Sequence, residues 1–167
     1  MSVRAPARTA YNVVMTELEQ EQPPALPDLL ADAREPESED PRKWTPPEVV
    51  GLALMYAYGI EVLTHLHHPQ WRDMRYLAED LLFNRDLLQD WIDLHGPDAL
   101  EYLIEQELPD LPLVEESDER LQELYVESGD VRQFLEAEYR QFREDIDPPR
   151  AHRWWWLDAE LYGRQIH

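Results

Sequence analysis

Residues 45–71 read TPPEVVGLALMYAYGIEVLTHLHHPQW and include the longest apolar run of the chain, at 49–60. Thr45 is placed to cap a helix with two prolines in its first turn, and Glu48 completes the pattern of a capping box. The apolar residues that follow predict a helix over 46–67. Because Pro69 cannot continue this helix and disfavours helical backbone at His68, we expect the chain to break there.

Five further helices are expected downstream, at 69–95, 98–107, 118–127, 130–146 and 151–163. Their ends coincide with residues that stop helices, such as Gly96 and Pro97 after the second helix. No sustained alternation of β-branched and polar residues is present, so a sheet is not expected. The sequence therefore predicts an all-α fold, a helical bundle of five or six helices over residues 45–167.

Residues 1–44 differ in composition from the rest of the chain. Proline and acidic side chains are frequent in this segment, and few apolar residues are available for burial. We therefore expect a proline-rich, acidic and weakly ordered N-terminal arm in front of the bundle domain.

The chain carries 36 acidic and 15 basic side chains, a formal net charge of -21. This charge repels a phosphate backbone and an anionic membrane surface, so we expect no direct binding to nucleic acid or membrane. The first residues lack an apolar signal region, and no apolar run reaches the roughly 18 residues of a membrane span. The sequence predicts a soluble, cytoplasmic protein. Its acidity and its preference for arginine over lysine also fit a salt-adapted or GC-rich source.

No recognisable catalytic motif is present in the sequence. The absence of cysteine excludes thiolate metal sites and cysteine nucleophiles, and the five glycines form no phosphate-binding loop. No serine lies in a Gly-x-Ser-x-Gly context. The question of enzymatic activity stays open at this point, with a non-catalytic role favoured.

Three of the six histidines lie at 65, 67 and 68. On a continuous helix, Glu61, His65 and His68 share one face, because residues three, four and seven apart are neighbours. A carboxylate with two imidazoles suits zinc or iron, which makes these residues the alternative site of a helical metalloprotein. Histidine in a last helical turn is also favoured by the helix dipole, so the preferred expectation is a helix end without a cofactor.

The densest charge lies at 101–130, where eleven acidic residues accompany one basic residue, Arg120. A second acidic stripe is expected along helix 69–95: Glu79, Asp86, Asp90 and Asp93. Carboxylates held on a rigid helical surface suit a basic partner, including a groove that normally binds phosphates, so the chain would act as a nucleic-acid mimic. A solvated acidic face without a partner explains the same charge.

Trp154, Trp155 and Trp156 are consecutive, and on a helix they fan over about 200°. At least one indole is therefore expected at the surface. Because tryptophan is frequent at interface hot spots, the segment predicts contact with a partner or self-association through the last helix. The alternative is a last helix that covers the bundle core with two of its indoles.

We expect this protein to be a non-catalytic, highly acidic interaction module: an inhibitor, adaptor or accessory subunit that binds a basic protein surface. The alternatives are a metalloprotein that uses Glu61, His65 and His68, and an acidic subunit of a larger enzyme complex in a salt-adapted organism. The residues predicted to bind the partner lie in the acidic region and the last helix: Glu101, Glu105, Asp110, Glu115, Glu116, Asp118, Glu119, Glu123, Trp154, Trp155 and Trp156.

Overall fold

Helices make up the regular structure of the computed structural model, which describes residues 36–69, 74–145 and 154–163, with the backbone alone at 155 and 158. These residues contain no strand and seven α-helices, preceded by a 3-10 turn at Pro41–Lys43. The helices are α1 (Pro46–Leu63), α2 (Arg75–Glu79), α3 (Leu81–His95), α4 (Pro97–Glu107), α5 (Val114–Glu127), α6 (Gly129–Asp145) and α7 (Trp155–Tyr162). The helix α2 is little more than one turn long, which leaves six longer helices. The predicted all-α bundle of five or six helices is therefore confirmed.

The helix α1 occupies the centre of the bundle. Its predicted cap is present: the Glu48 N–H donates to Thr45 Oγ1 at 3.4 Å, and the Thr45 N–H donates to Glu48 Oε1 at 2.8 Å. Twelve of its 18 residues are buried, and it packs against α2, α3, α4 and α5. A helix that is apolar on all sides must be surrounded by other elements, which explains the arrangement of the remaining helices around it.

The first helix ends four residues earlier than predicted, at Leu63. Beyond this point, the N–H groups of Thr64 and His65 donate to carbonyls three residues back, Glu61 and Val62, at 3.1 and 3.0 Å. The Thr64 hydroxyl also donates to the Glu61 carbonyl at 2.7 Å, a local side-chain bond that competes with helical pairing. The chain therefore leaves the helix through tight turns before it reaches Pro69.

The predicted second helix, 69–95, is divided in the structure. Residues 70–73 lie outside the described residues, and α2 is separated from α3 at Asp80. The predicted stop is confirmed, since α3 ends at His95 and Gly96 follows with φ of 93°. This left-handed backbone favours glycine, and it lets α4 begin at Pro97 with a single residue between the two helices.

The remaining helices follow the predicted order. α4 and α6 lie within one residue of their predicted bounds, whereas α5 begins at Val114, four residues before its predicted start. The Glu116 carboxylate explains the earlier start, because it accepts a hydrogen bond from the Leu113 N–H at 2.8 Å and so satisfies a free donor at the helix N-terminus. α7 covers 155–162 of the predicted 151–163, and residues 151–153 lie outside the described residues.

Residues 36–44, the end of the predicted arm, lie against the bundle. Trp44 is 7% exposed and belongs to the hydrophobic core, and its indole N–H donates to the Ser38 carbonyl at 2.7 Å. The 3-10 turn at Pro41–Lys43 packs against α3. The other residues of the predicted arm, 1–35, lie outside the described residues. None of the described helices is both long enough and apolar enough to cross a membrane.

Replacing Gly59 with alanine is expected to destabilise the bundle relative to Gly129→Ala. A Cβ at Gly59 would lie 2.9 Å from Leu81 Cδ1 and 3.4 Å from the Leu77 carbonyl oxygen. Because Leu81 is buried, we expect an overpacking cost of about 1–3 kcal/mol. A Cβ at Gly129 would meet nothing within 4 Å. The control variant Gly129→Ala should therefore be as stable as the wild type or gain up to about 1 kcal/mol, because alanine favours helix more than glycine does. Equilibrium urea unfolding measures both, and equal stabilities would contradict the prediction.

Candidate functional site

The exposed sides of α4 and α5 carry most of the predicted partner-binding carboxylates. Glu101 and Glu105 are exposed on α4, and Glu115, Glu119 and Glu123 are exposed on α5. Each step of four residues advances about 6 Å along a helix and returns to nearly the same side. We call these five residues the acidic faces. They present carboxylates to solvent along both helices, and Glu123 also forms an exposed ion pair with Arg120 at 3.7 Å.

Asp118 has a different role from its neighbours on α5. Its Oδ1 accepts hydrogen bonds from the Tyr56 hydroxyl at 2.6 Å and from Arg85 Nε at 3.0 Å, and its Oδ2 accepts one from Arg85 Nη2 at 3.0 Å. Tyr56 belongs to α1 and Arg85 to α3. The predicted partner-binding carboxylate is therefore engaged inside the fold, where it ties α5 to two other helices.

The burial of Tyr56 keeps its hydroxyl protonated. Burial, followed by the negative charge of Asp118, raises the pKa of the Tyr56 hydroxyl well above its ordinary value, against a smaller opposing effect of Arg85. The hydroxyl therefore remains a donor to Asp118 throughout the physiological range. Arg85 uses its remaining terminal nitrogen, Nη1, to donate to Gln89 Oε1 at 3.1 Å, which orients the guanidinium from the other side.

Asp118→Ala is expected to lower the free energy of unfolding by about 2–4 kcal/mol, because it leaves a buried hydroxyl and a guanidinium without their acceptor. The matched control is Glu119→Ala, the next residue, which is exposed and should change stability by no more than about 0.5 kcal/mol. Urea unfolding followed by circular dichroism gives both values. A difference below about 1 kcal/mol between the two variants would contradict this role for Asp118.

Two other predicted carboxylates complete the acidic region. Glu116 is exposed and caps α5 through the Leu113 N–H, so its charge also serves the fold. Asp110 is exposed in the connection between α4 and α5. The region that looks uniform in the sequence is thus divided between residues that hold α5 in place and residues that face solvent.

The predicted acidic stripe along helix 69–95 is wrong. Asp86 is 2% exposed, in the interior of the bundle. Glu79 belongs to α2, and the interruption at Asp80 means that helical spacing does not extend from Glu79 into α3. Only Asp90 and Asp93 remain at least partly exposed on α3.

The structure does not bring the residues of the alternative metal site, Glu61, His65 and His68, together as one group. The described residues contain no group of three or more histidine, aspartate or glutamate side chains placed to hold a metal ion. The physical reason is the early end of α1: Glu61 lies on the helix, whereas His65 and His68 lie in turns. Such turns advance about 120° per residue in place of 100°, so Glu61 is displaced from the side on which His65 and His68 lie.

His65 is 2% exposed and sits in the core below this turn. Burial, with smaller effects of the charges of His67 and His68, lowers the pKa of the His65 imidazole from 6.5 to about 4. Burial raises the pKa of the neighbouring Glu61 carboxyl, partly offset by Arg120. The two groups therefore respond to acid in opposite directions.

The lowered pKa of His65 predicts that the protein loses stability as the pH falls from about 6.5 to about 4. In this pH range His65 is protonated in the unfolded chain but stays neutral in the folded chain, so acidification favours unfolding. For a pKa lowered from 6.5 to about 4, the free energy of unfolding falls by up to about 3 kcal/mol. Glu61 opposes the trend, because its raised pKa makes the folded state take up a proton first. Urea unfolding of the wild type and of His65→Gln across this range isolates the histidine. The variant should show a shallower fall in stability, and parallel curves would contradict the prediction.

Of the three tryptophans, one is confined to the core. Trp154 is buried beside buried Leu157, and its ring centroid lies 6.4 Å from that of Trp156. Trp156 is half-buried and makes an edge-to-face contact with Tyr125 at 5.3 Å between centroids. The side chain of Trp155 lies outside the described residues. These contacts favour the alternative in which the last helix covers the bundle core with two indoles.

Two features of the site were not predicted from the sequence. One is the set of internal partners of Asp118, Tyr56 and Arg85, which no local spacing indicates. The other is Tyr102, which is 62% exposed on α4 between Glu101 and Glu105. Glu101, Tyr102 and Glu105 lie three, four and seven residues after Asp98, and this spacing of polar residues indicates a solvent-facing side of the helix. A tyrosine within such a pattern could have been recognised as exposed from the sequence.

Comparisons with known protein families, with curated proteins and with solved structures each find no match for this chain.

Proposed function

We propose that this chain is a non-catalytic interaction protein whose acidic faces bind a basic surface of another protein. The observation that carries the proposal is the row of exposed carboxylates at Glu115, Glu119 and Glu123, on a helix held in place by Asp118. A row on a fixed helix needs little ordering when a partner binds, so less of the interaction energy is lost. The protein would act in the cytoplasm as an inhibitor, adaptor or accessory subunit.

The partner class follows from the charge. Complementary charge accelerates encounter and disfavours wrong partners, and a chain with net charge -21 repels acidic proteins. A basic groove that normally binds a phosphate backbone has the required sign and a similar demand for regularly spaced anions. The proposal therefore includes nucleic-acid-binding proteins among the partners, with the acidic faces in place of the phosphates.

The test combines capture of a partner with a charge-neutralised variant. The immobilised wild type is exposed to a lysate of its source cells, bound proteins are released with a salt gradient, and the affinity of the released partner is then measured. Glu115→Gln, Glu119→Gln and Glu123→Gln together should weaken binding about three- to hundredfold, since exposed ion pairs contribute about 0.2–1 kcal/mol each. Asp118 and Glu116 are left intact because they support the fold.

The matched control neutralises three exposed glutamates elsewhere, Glu39, Glu79 and Glu144, so that the net charge changes by the same amount. Binding should remain close to wild type in this control. Equal losses in both triple variants would assign the effect to net charge and contradict a role for the acidic faces. The absence of any partner released by salt would contradict the proposed function as a whole.

A further inference from the structure

Tyr102 is the exposed aromatic residue of an acidic helix face. Its side chain is 62% exposed, and Asp98, Glu101 and Glu105, which share its side of α4, are all exposed. On a helix, residues three and four apart are neighbours, so the side chains next to Tyr102 are those of Asp98, four residues before it, and Glu105, three residues after it. The exposed ring therefore has a carboxylate one turn before it and another one turn after it.

This combination has a specific chemical preference. The face of an aromatic ring attracts cations, and a guanidinium is both a cation and a flat group that stacks on the ring. Carboxylates accept two parallel hydrogen bonds from a guanidinium, which an ammonium group cannot reproduce. A ring flanked by carboxylates therefore distinguishes arginine from lysine, whereas carboxylates alone respond mainly to charge.

Other exposed apolar residues of the described chain do not offer the same chemistry. Val126, 70% exposed, follows Glu119 and Glu123 on α5 but has no ring. Tyr76, also 62% exposed, is followed by the exposed carboxylates Glu79 and Asp80, but it also lies next to Arg75, whose guanidinium is 5.3 Å from the Phe134 ring centroid. Tyr162 already has the Arg143 guanidinium 4.9 Å from its ring centroid. Tyr102 differs from both in having exposed carboxylates before and after it on one helix and no arginine beside it.

We infer that the outward face of α4 is a docking site for arginine in a basic segment of the protein partner. Tyr102 stacks on the guanidinium, and Asp98 and Glu105 accept its hydrogen bonds. The inference rests on the proposed function, because it assigns part of the interaction to one face and one residue type. The charge complementarity of the face defines the occupant, an arginine-rich segment of another protein.

The experiment compares two fluorescently labelled probes of equal charge, nona-arginine and nona-lysine, by fluorescence anisotropy with the full chain at several salt concentrations. The wild type should bind nona-arginine more tightly. Tyr102→Ala should weaken nona-arginine binding about two- to fivefold, the range expected for an exposed cation–π contact, and should affect nona-lysine less. Tyr102→Phe keeps the ring and should bind as the wild type does. Val126→Ala, which removes exposed apolar surface beside carboxylates, should also leave both affinities unchanged.

The outcomes separate this inference from the proposed function. Equal losses for both peptides with Tyr102→Ala, or no loss for either, would overturn the arginine site. If the same measurements show that the Glu115, Glu119 and Glu123 triple variant weakens binding, the acidic faces would still stand. Failure of the wild type to bind either peptide in a salt-dependent way would overturn both. Circular dichroism of Tyr102→Ala checks that the bundle is unchanged.

Discussion

The bundle depends on the burial of α1, a helix with apolar residues on every side. Each large aliphatic side chain taken out of water contributes about 1.5–3 kcal/mol, and such residues follow one another from Val49 to Leu63. A helix of this kind has no solvent face of its own, so the surrounding helices provide one. Because the surrounding helices face solvent, they can carry the negative charge of the chain without burying it. The outer helices each bury one side in the shared core and can give the opposite side to carboxylates.

The acidic residues of α5 have two kinds of surroundings in the structure. Asp118 and Glu116 satisfy donors of the protein itself, the first across helices and the second at a helix end. Glu115, Glu119 and Glu123 point outward from the helix that these contacts hold. The inward carboxylate is valuable because it fixes the position of the outward ones. A row of charges can match a partner only if its spacing survives the repulsion among its members.

The sequence predicts the start of the fold better than its interior. Thr45 and Glu48 indicate the beginning of α1, and Gly96 marks the end of α3, because caps and left-handed glycines act over a few residues. No proline or glycine in the sequence indicates the end of α1 at Leu63 or the interruption at Asp80. Asp118 contacts residues 33 and 62 positions away, and separations of this size leave no periodic trace in a sequence. The same limit explains Asp86, which composition alone places at the surface.

The burial of Trp44 shows that the folded domain begins earlier in the chain than its composition indicates. Proline and acidic residues continue to Pro41, yet the ring of Trp44 fills part of the core, and its indole N–H donates a hydrogen bond to the carbonyl of Ser38. A chain shortened to begin at Thr45 would keep every helix and still open a hole the size of an indole. Within the described residues, the folded unit therefore begins before Thr45, inside the segment whose composition resembles a linker.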